Sequence, residues 1–97
     1  MPASTLSRTR GAAYISNTQV TTSGTASTLV VARPTRHLVT IKNIDSSLPV
    51  YIGAPTVTSA NGMELKSGQS ITVTYLGLIQ VIAASGNPVV CIWDEYD

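Results

Sequence analysis

The sequence contains a single histidine, His37, and its surroundings decide whether a hydrolytic triad is possible. A Ser–His–Asp arrangement needs an acid within hydrogen-bonding reach of the imidazole. The nearest acid in sequence, Asp45, flanks the same predicted strand eight positions away. The two side chains would lie about 25 Å apart in an extended chain. His37 is therefore predicted to be a strand-end or surface residue and not a catalytic base.

The other reactive side chains do not predict a site either. Cys91, the only cysteine, lies in an apolar run without a basic neighbour to activate its thiol, so we expect a structural role. The acidic residues Asp94, Glu95 and Asp97 are expected to be solvated, because a chain end is a poor cage for a cation. The glycines recur at turns and form no phosphate-binding pattern. The sequence predicts no catalytic residue, no metal site and no cofactor, and the protein is predicted not to be an enzyme.

The aromatic residues are few and are the main candidates for binding chemistry. They are Tyr14, Tyr51, Tyr75, Trp93 and Tyr96. In a strand, the Tyr51 side chain would point to the face opposite Val50 and Ile52. An exposed ring there would stack on a sugar or anchor a partner. Packing in the core or at its rim is the alternative. Single-stranded nucleic acid would need aromatics interleaved with Lys and Arg on one sheet face, and that interleaving is missing.

Short runs of β-branched residues, separated by turn signals, occupy most of the chain after residue 27. The predicted strands cover residues 28–32, 38–44, 50–53, 71–75, 78–84 and 89–93. No helical periodicity extends beyond two turns, which excludes a long helix. Six or seven short strands at this spacing predict an all-β fold, an antiparallel β-sandwich or a small jelly-roll-like barrel.

The last two predicted strands are apolar on both faces, and residues 85–88 predict a hairpin loop between them. A strand at the surface of a thin sandwich needs only one apolar face. Either these strands lie at the centre of the fold beneath a covering arm, or their second face packs on another subunit. The small core expected for this chain favours the subunit interface.

The beginning of the chain differs in composition from the rest. Twelve of the first 28 residues are Ser or Thr, and large apolar residues are sparse. Such a segment buries too little surface to offset its ordering entropy. We therefore predict an extended or flexible N-terminal arm over residues 1–26 and a single β-sandwich domain over residues 27–97.

Charge is distributed unevenly along the chain. Residues 1–42 contain five basic residues and no acid, whereas residues 43–97 contain one lysine and five acids. Five cations spread over 42 residues do not form the dense patch that nucleic acid requires. Pairing of the basic part with the acidic part of the same chain, or of a neighbour, is the favoured interpretation. The longest largely apolar stretch, residues 76–84, is far shorter than the ~20 residues of a membrane span.

Two segments resemble small virion proteins of tailed bacteriophages. They are VYIGAPTVTSANGMELKSGQSITV, which begins at Val50, and LIQVIAASGNPVVCIWDE, which begins at Leu78. The likeness covers about residues 36–95 and is to capsid decoration, or cement, proteins, which are β-rich and multimeric. The resemblance implies a protein that binds the outer capsid surface and bridges neighbouring major capsid subunits.

The resemblance also implies partners and a location. The expected partners are the major capsid protein and further copies of this chain, most simply as a trimer, with no nucleic acid and no membrane. The expected location is the outer capsid surface, after synthesis in the host cytoplasm. The basic arm would lie across the shell, and the apolar face of the last strands would form the subunit interface. The candidate partner-binding residues are Arg8, Arg10, Tyr14, Arg33, Arg36, Tyr51, Val90, Ile92 and Trp93.

Two other functions stay open at this point. The domain would serve equally as an adsorption module of a head or tail fibre that binds host-surface glycan, with Tyr51 and Trp93 as candidate platforms. It would also serve as a component of the head–tail connector. Both alternatives are structural or binding roles, so the sequence favours a virion protein over an enzyme in each case.

Overall fold

The computed structural model describes residues 11–97, in which eight strands form two packed antiparallel sheets. The strands are β1 Tyr14–Thr21, β2 Ser27–Val30, β3 Arg36–Asn43, β4 Val50–Gly53, β5 Met63–Leu65, β6 Ser70–Val73, β7 Ile79–Ile82 and β8 Val89–Tyr96. Sheet A has the order β1-β8-β3-β6, and sheet B has the order β2-β7-β4-β5. This is the strand order of an eight-stranded jelly roll, and it confirms the predicted antiparallel sandwich. Within these residues no helix is long and apolar enough to cross a membrane.

Period-two alternation places one apolar row of each strand between the sheets. In sheet A, Val39 and Ile41 of β3 lie beside Ile92 of β8, and all three are buried. Sheet B contributes Val50 of β4 and Val81 of β7 from the other side. These side chains form one continuous core cluster. The core therefore sits between the central strands of the two sheets.

The predicted hairpin between the last two strands is wrong. β7 pairs only within sheet B and β8 only within sheet A, so residues 83–88 carry the chain from one sheet to the other. Gly86 makes this crossing possible, because its φ is +65° and a Cβ there would lie 2.6 Å from Leu48 Cδ1. Each of the two strands is central in its sheet, with one row of side chains in the core and the other row on the outer face of the sandwich.

The predicted arm is in part a strand of the sandwich. Residues 1–10 lie outside the described residues. Tyr14–Thr21 are extended, as predicted, but they pair with β8 along their full length, from Tyr14 opposite Tyr96 to Thr21 opposite Val89. β1 is thus an edge strand of sheet A, and the fold does not divide at residue 26.

A buried arginine connects the two sheets at the beginning of β3. The Arg36 side chain is 0% exposed. Its Nε donates to Asp94 Oδ1 at 2.9 Å, and its Nη2 donates to Asp94 Oδ2 at 3.3 Å and to the Val31 carbonyl. Its Nη1 donates to the Tyr75 carbonyl at 2.7 Å and to the Gly77 carbonyl at 3.4 Å. We call this set the Arg36 cluster, and it uses every N–H donor of the guanidinium.

A buried asparagine performs the same task at the other end of β3. Asn43 is fully buried, and its Nδ2 donates to the Leu48 and Leu65 carbonyls at 2.8 and 2.9 Å. Its Oδ1 accepts the backbone N–H of Asp45 at 2.9 Å. Leu48 precedes β4 and Leu65 ends β5, so Asn43 joins sheet A to sheet B.

The predicted pairing of basic and acidic parts is confirmed within the chain. Arg33 Nε lies 3.1 Å from Asp94 Oδ2, so two arginines share one buried carboxylate. His37 Nε2 lies 2.9 Å from Asp97 Oδ2. The expectation that Asp94 is solvated is wrong, because this carboxylate is the counter-charge of the Arg36 cluster.

Replacement of Arg36 by methionine should lower the free energy of unfolding by about 3–5 kcal/mol, because it leaves the Asp94 carboxylate buried without its main partner. Urea denaturation monitored by circular dichroism measures this change. Lys42→Met is the matched control, since Lys42 lies on the same strand with an exposed side chain and should change stability by less than about 0.5 kcal/mol. Equal stabilities for the two variants would contradict the role of the Arg36 cluster.

Candidate functional site

The predicted partner-binding residues do not gather at one place. Arg8 and Arg10 lie outside the described residues. Arg36 is used entirely inside the fold, as described above. Val90 and Ile92 are buried in the core, so the residues of β8 that face outward are the alternate ones, among them Cys91 and Trp93. The sequence alone did not determine the facing of this strand, because both of its faces are apolar.

Tyr14 and Arg33 belong to a stacked cluster beside the Arg36 cluster. The Tyr14 and Tyr96 rings stack with centroids 5.7 Å apart, and Arg33 Cζ lies 3.6 Å from the Tyr96 centroid. Because Arg33 also pairs with Asp94, its charge is largely engaged within the chain. Tyr14 keeps more than half of its surface exposed, so it is the part of this cluster that a partner can reach.

His37 and Asp45 lie at opposite ends of β3, as the sequence predicts. The Asp45 carboxylate accepts the backbone N–H groups of Leu48 and Ser47 at 2.9 and 3.1 Å, and these bonds hold its pKa below the ordinary value. Asp45 is therefore engaged in a turn and does not support His37. Among residues 11–97 no group of three His, Cys, Asp or Glu side chains is placed to hold a metal ion.

Tyr51 lies on the outer face of sheet B, between the buried residues Val50 and Ile52. It is half-buried, and its hydroxyl donates to Glu64 Oε2 at 3.2 Å. The pKa of this phenol is raised above its ordinary value. Partial burial is the largest cause, and the hydrogen bond to Glu64 is the next. Trp93 lies on the outer face of sheet A, so Tyr51 and Trp93 face opposite sides of the sandwich and cannot form one platform.

The outer face of sheet A is open and mixes an aromatic ring with polar side chains. Trp93 is 43% exposed and lies opposite Asn17 of β1 and Thr40 of β3 in the register. We call this surface the Trp93 face. It comprises Asn17, Gln19, Thr40, Lys42, Thr72, Trp93 and Glu95, together with the apolar side chains of Ile15, Leu38 and Cys91 in the neighbouring rows.

An apolar groove opens between the sheets where β5 and β6 form their edges. Its volume is about 430 Å³, and its lining includes Ile41, Ile52, Met63, Ile71, Val73 and Tyr75. Met63 and Tyr75 stand at its rim, each 56% exposed. Apart from Tyr75, the side chains that line the apolar groove carry no polar group. This volume lies within the range of pockets that hold small ligands or partner side chains.

Sequence reasoning missed the apolar groove because it missed β5. Residues 54–66 contain Pro55 and an Asn61-Gly62 turn, which obscure the three-residue strand Met63–Leu65. Ile71 and Val73 lie on the inner side of the predicted strand 71–75, and they line a groove that sheet B covers only in part. Tyr75 belongs to the same predicted strand, but it lies beyond the end of β6 and is exposed.

Comparison with known proteins identifies the fold and no family. No protein-family model matches the chain, and no curated protein does. The stem and receptor-binding domain of the spike protein P1 of bacteriophage PM2 has a similar structure, with a TM-score of 0.63 and 17% identity over 80% of this chain. The match covers 32% of that chain, so this chain spans about a third of its length.

A second similar structure comes from Bacillus endospore appendages, described as disulfide-linked pili. It has a TM-score of 0.56 and 17% identity, over 86% of this chain and 84% of that chain. At these identities the likeness establishes the fold alone. The fold therefore defines a jelly-roll protein, and its two open surfaces are the apolar groove and the Trp93 face.

Proposed function

We propose that this chain is a non-enzymatic structural protein of a tailed-phage virion, a decoration protein that binds the outer capsid surface and bridges neighbouring major capsid subunits. The observation that carries the proposal is the apolar groove. Its lining is apolar, and its rim residues Met63 and Tyr75 are more than half exposed. Exposed apolar surface that forms a concave site is typical of a surface that a protein partner covers.

The groove suits insertion of apolar side chains from a partner subunit. Covering its lining removes apolar surface from water, which is worth roughly 25 cal/mol per Å². The edge strands β5 and β6 also present unpaired backbone groups beside the groove, since within residues 11–97 each pairs with another strand on one side only. A partner that covers both would gain hydrophobic contact and hydrogen bonds together.

Assembly with further copies is part of the proposal. A chain of 97 residues has a thin core, and association adds stability that the single copy lacks. A trimer on the outer shell places several copies of the groove on neighbouring capsid subunits. The two proteins of similar fold are a phage spike protein and a pilus protein, which supports a role in an assembled structure.

A second candidate is a module of a spike or fibre that contacts a host receptor. It is favoured by the likeness to the stem and receptor-binding domain of the PM2 spike protein and by the exposed Trp93. In this case the chain would occur at few copies per particle and would project from the shell.

The copy number per purified particle separates these candidates. Quantitative mass spectrometry against the major capsid protein should give hundreds of copies, in a simple ratio to the shell subunit. About a dozen copies would favour the spike or fibre module, and absence from the particle would contradict both candidates.

Replacement of Met63 by glutamate should weaken binding to particles that lack the chain at least tenfold, because a charge would have to be buried in an apolar site. Binding is measured by co-sedimentation at graded protein concentration. Thr28→Glu adds the same charge on the exposed outer face of sheet B and should bind like the unmodified protein. Both variants must show the unmodified urea midpoint, and equal binding by both would contradict docking through the groove.

A further inference from the structure

The Trp93 face carries a row of polar side chains around one aromatic ring, and docking through the apolar groove does not use this row. It lies on the side of sheet A that points away from sheet B. In the register, Asn17, Trp93, Thr40 and Thr72 form one row across all four strands of the sheet. A single aromatic ring is thus flanked by an amide on one side and hydroxyl groups on the other.

The indole of Trp93 is oriented by a hydrogen bond on its own strand. Its Nε1 donates to Glu95 Oε2 at 2.8 Å, and Glu95 lies two residues along the same strand on the same face. The ring is nevertheless 43% exposed. An aromatic side chain with only two χ angles loses little conformational entropy when a ligand packs on it.

Several polar groups beside the indole have unused hydrogen-bonding capacity. Asn17 and Gln19 are exposed, and within residues 11–97 their side-chain amides form no hydrogen bond. Thr40 Oγ1 and Thr72 Oγ1 lie 2.8 Å apart, and each hydroxyl still has a free lone pair. Amides that both donate and accept are suited to hydroxyl groups, which do the same.

The charge on this face selects the class of ligand. Lys42 supplies one positive charge and Glu95 one negative charge, and Glu95 already accepts from Trp93. The face therefore has no excess charge to attract a phosphate or a sulfate. A nucleic acid would need more cations and further aromatic rings. A protein partner would prefer the apolar groove to an indole whose neighbours in its own row, Asn17 and Thr40, are polar.

We propose that the Trp93 face binds a neutral glycan. The C–H groups of one pyranose ring pack on the exposed indole, and the sugar hydroxyls bond to the amides of Asn17 and Gln19. A sugar suits this face because it is apolar on one side of its ring and hydroxylated around its edge. This inference goes beyond assembly through the groove. It rests on the second candidate function, the spike or fibre module, and names neutral glycan as the class of ligand that this module would bind.

The sequence contains one tryptophan, so its fluorescence reports on this site directly. The experiment titrates the full chain with neutral glucose-, galactose- and mannose-based oligosaccharides, and with sialylated and sulfated oligosaccharides as charged comparisons. The expected result is a saturable fluorescence change with at least one neutral oligosaccharide and tighter binding of that sugar than of its charged forms.

Variants assign the binding to the proposed residues. Trp93→Ala should abolish binding in a glycan-array or calorimetric assay, and Asn17→Ala should weaken it about five- to tenfold, the effect of one lost hydrogen bond. Tyr51→Phe changes only the opposite face and should bind normally. Circular dichroism verifies that each variant is folded.

The proposal is overturned if no neutral oligosaccharide binds, if only charged ones bind, or if binding survives in folded Trp93→Ala. These outcomes are independent of the copy number per particle. A chain present at hundreds of copies without glycan binding would leave the decoration function standing and remove only this inference.

Discussion

The fold depends on placing one arginine where water cannot reach it. A buried guanidinium is tolerated only when its charge is paired and its donors are bonded. Arg36 satisfies this requirement through the Asp94 carboxylate on β8 and three backbone carbonyls. One carbonyl belongs to Val31, just after β2, and the other two lie on either side of Leu76, between β6 and β7. These segments come from both sheets, so the cluster is complete only when the sandwich is assembled. The cost of leaving it incomplete favours one arrangement of the strands.

The molecule stays open on one side, between the edges of the two sheets. Arg36 and Asn43 fix the two ends of β3, and the core fills the space between the central strands. The edge strands β5 and β6 are only three and four residues long. An apolar groove remains between these two sheet edges. The open side is the surface through which we propose that the chain docks.

Much of the fold was predictable because the alternation of apolar and polar residues along a strand is visible in the local sequence. β2 to β4 and β6 to β8 were placed correctly, apart from their ends. β1 was missed since it is exposed on both faces and rich in Ser and Thr, which gives it the composition of a flexible arm. The orientation of β8 could not be predicted because Val90 and Trp93 lie on faces of similar apolar character. The uneven charge indicated an internal ion pair, but only the tertiary structure brings Arg36 to Asp94, 58 residues away.

The central claim is that the chain docks on a particle through the side of the sandwich bordered by β5 and β6. Hydrogen–deuterium exchange, measured by mass spectrometry on the free protein and on the particle-bound protein, tests it most directly. Our account predicts slower exchange on the particle for the amides of Met63–Leu65 and Ser70–Val73, with β1 unchanged. Unchanged exchange in β5 and β6, with protection confined to β1 and β8, would contradict it.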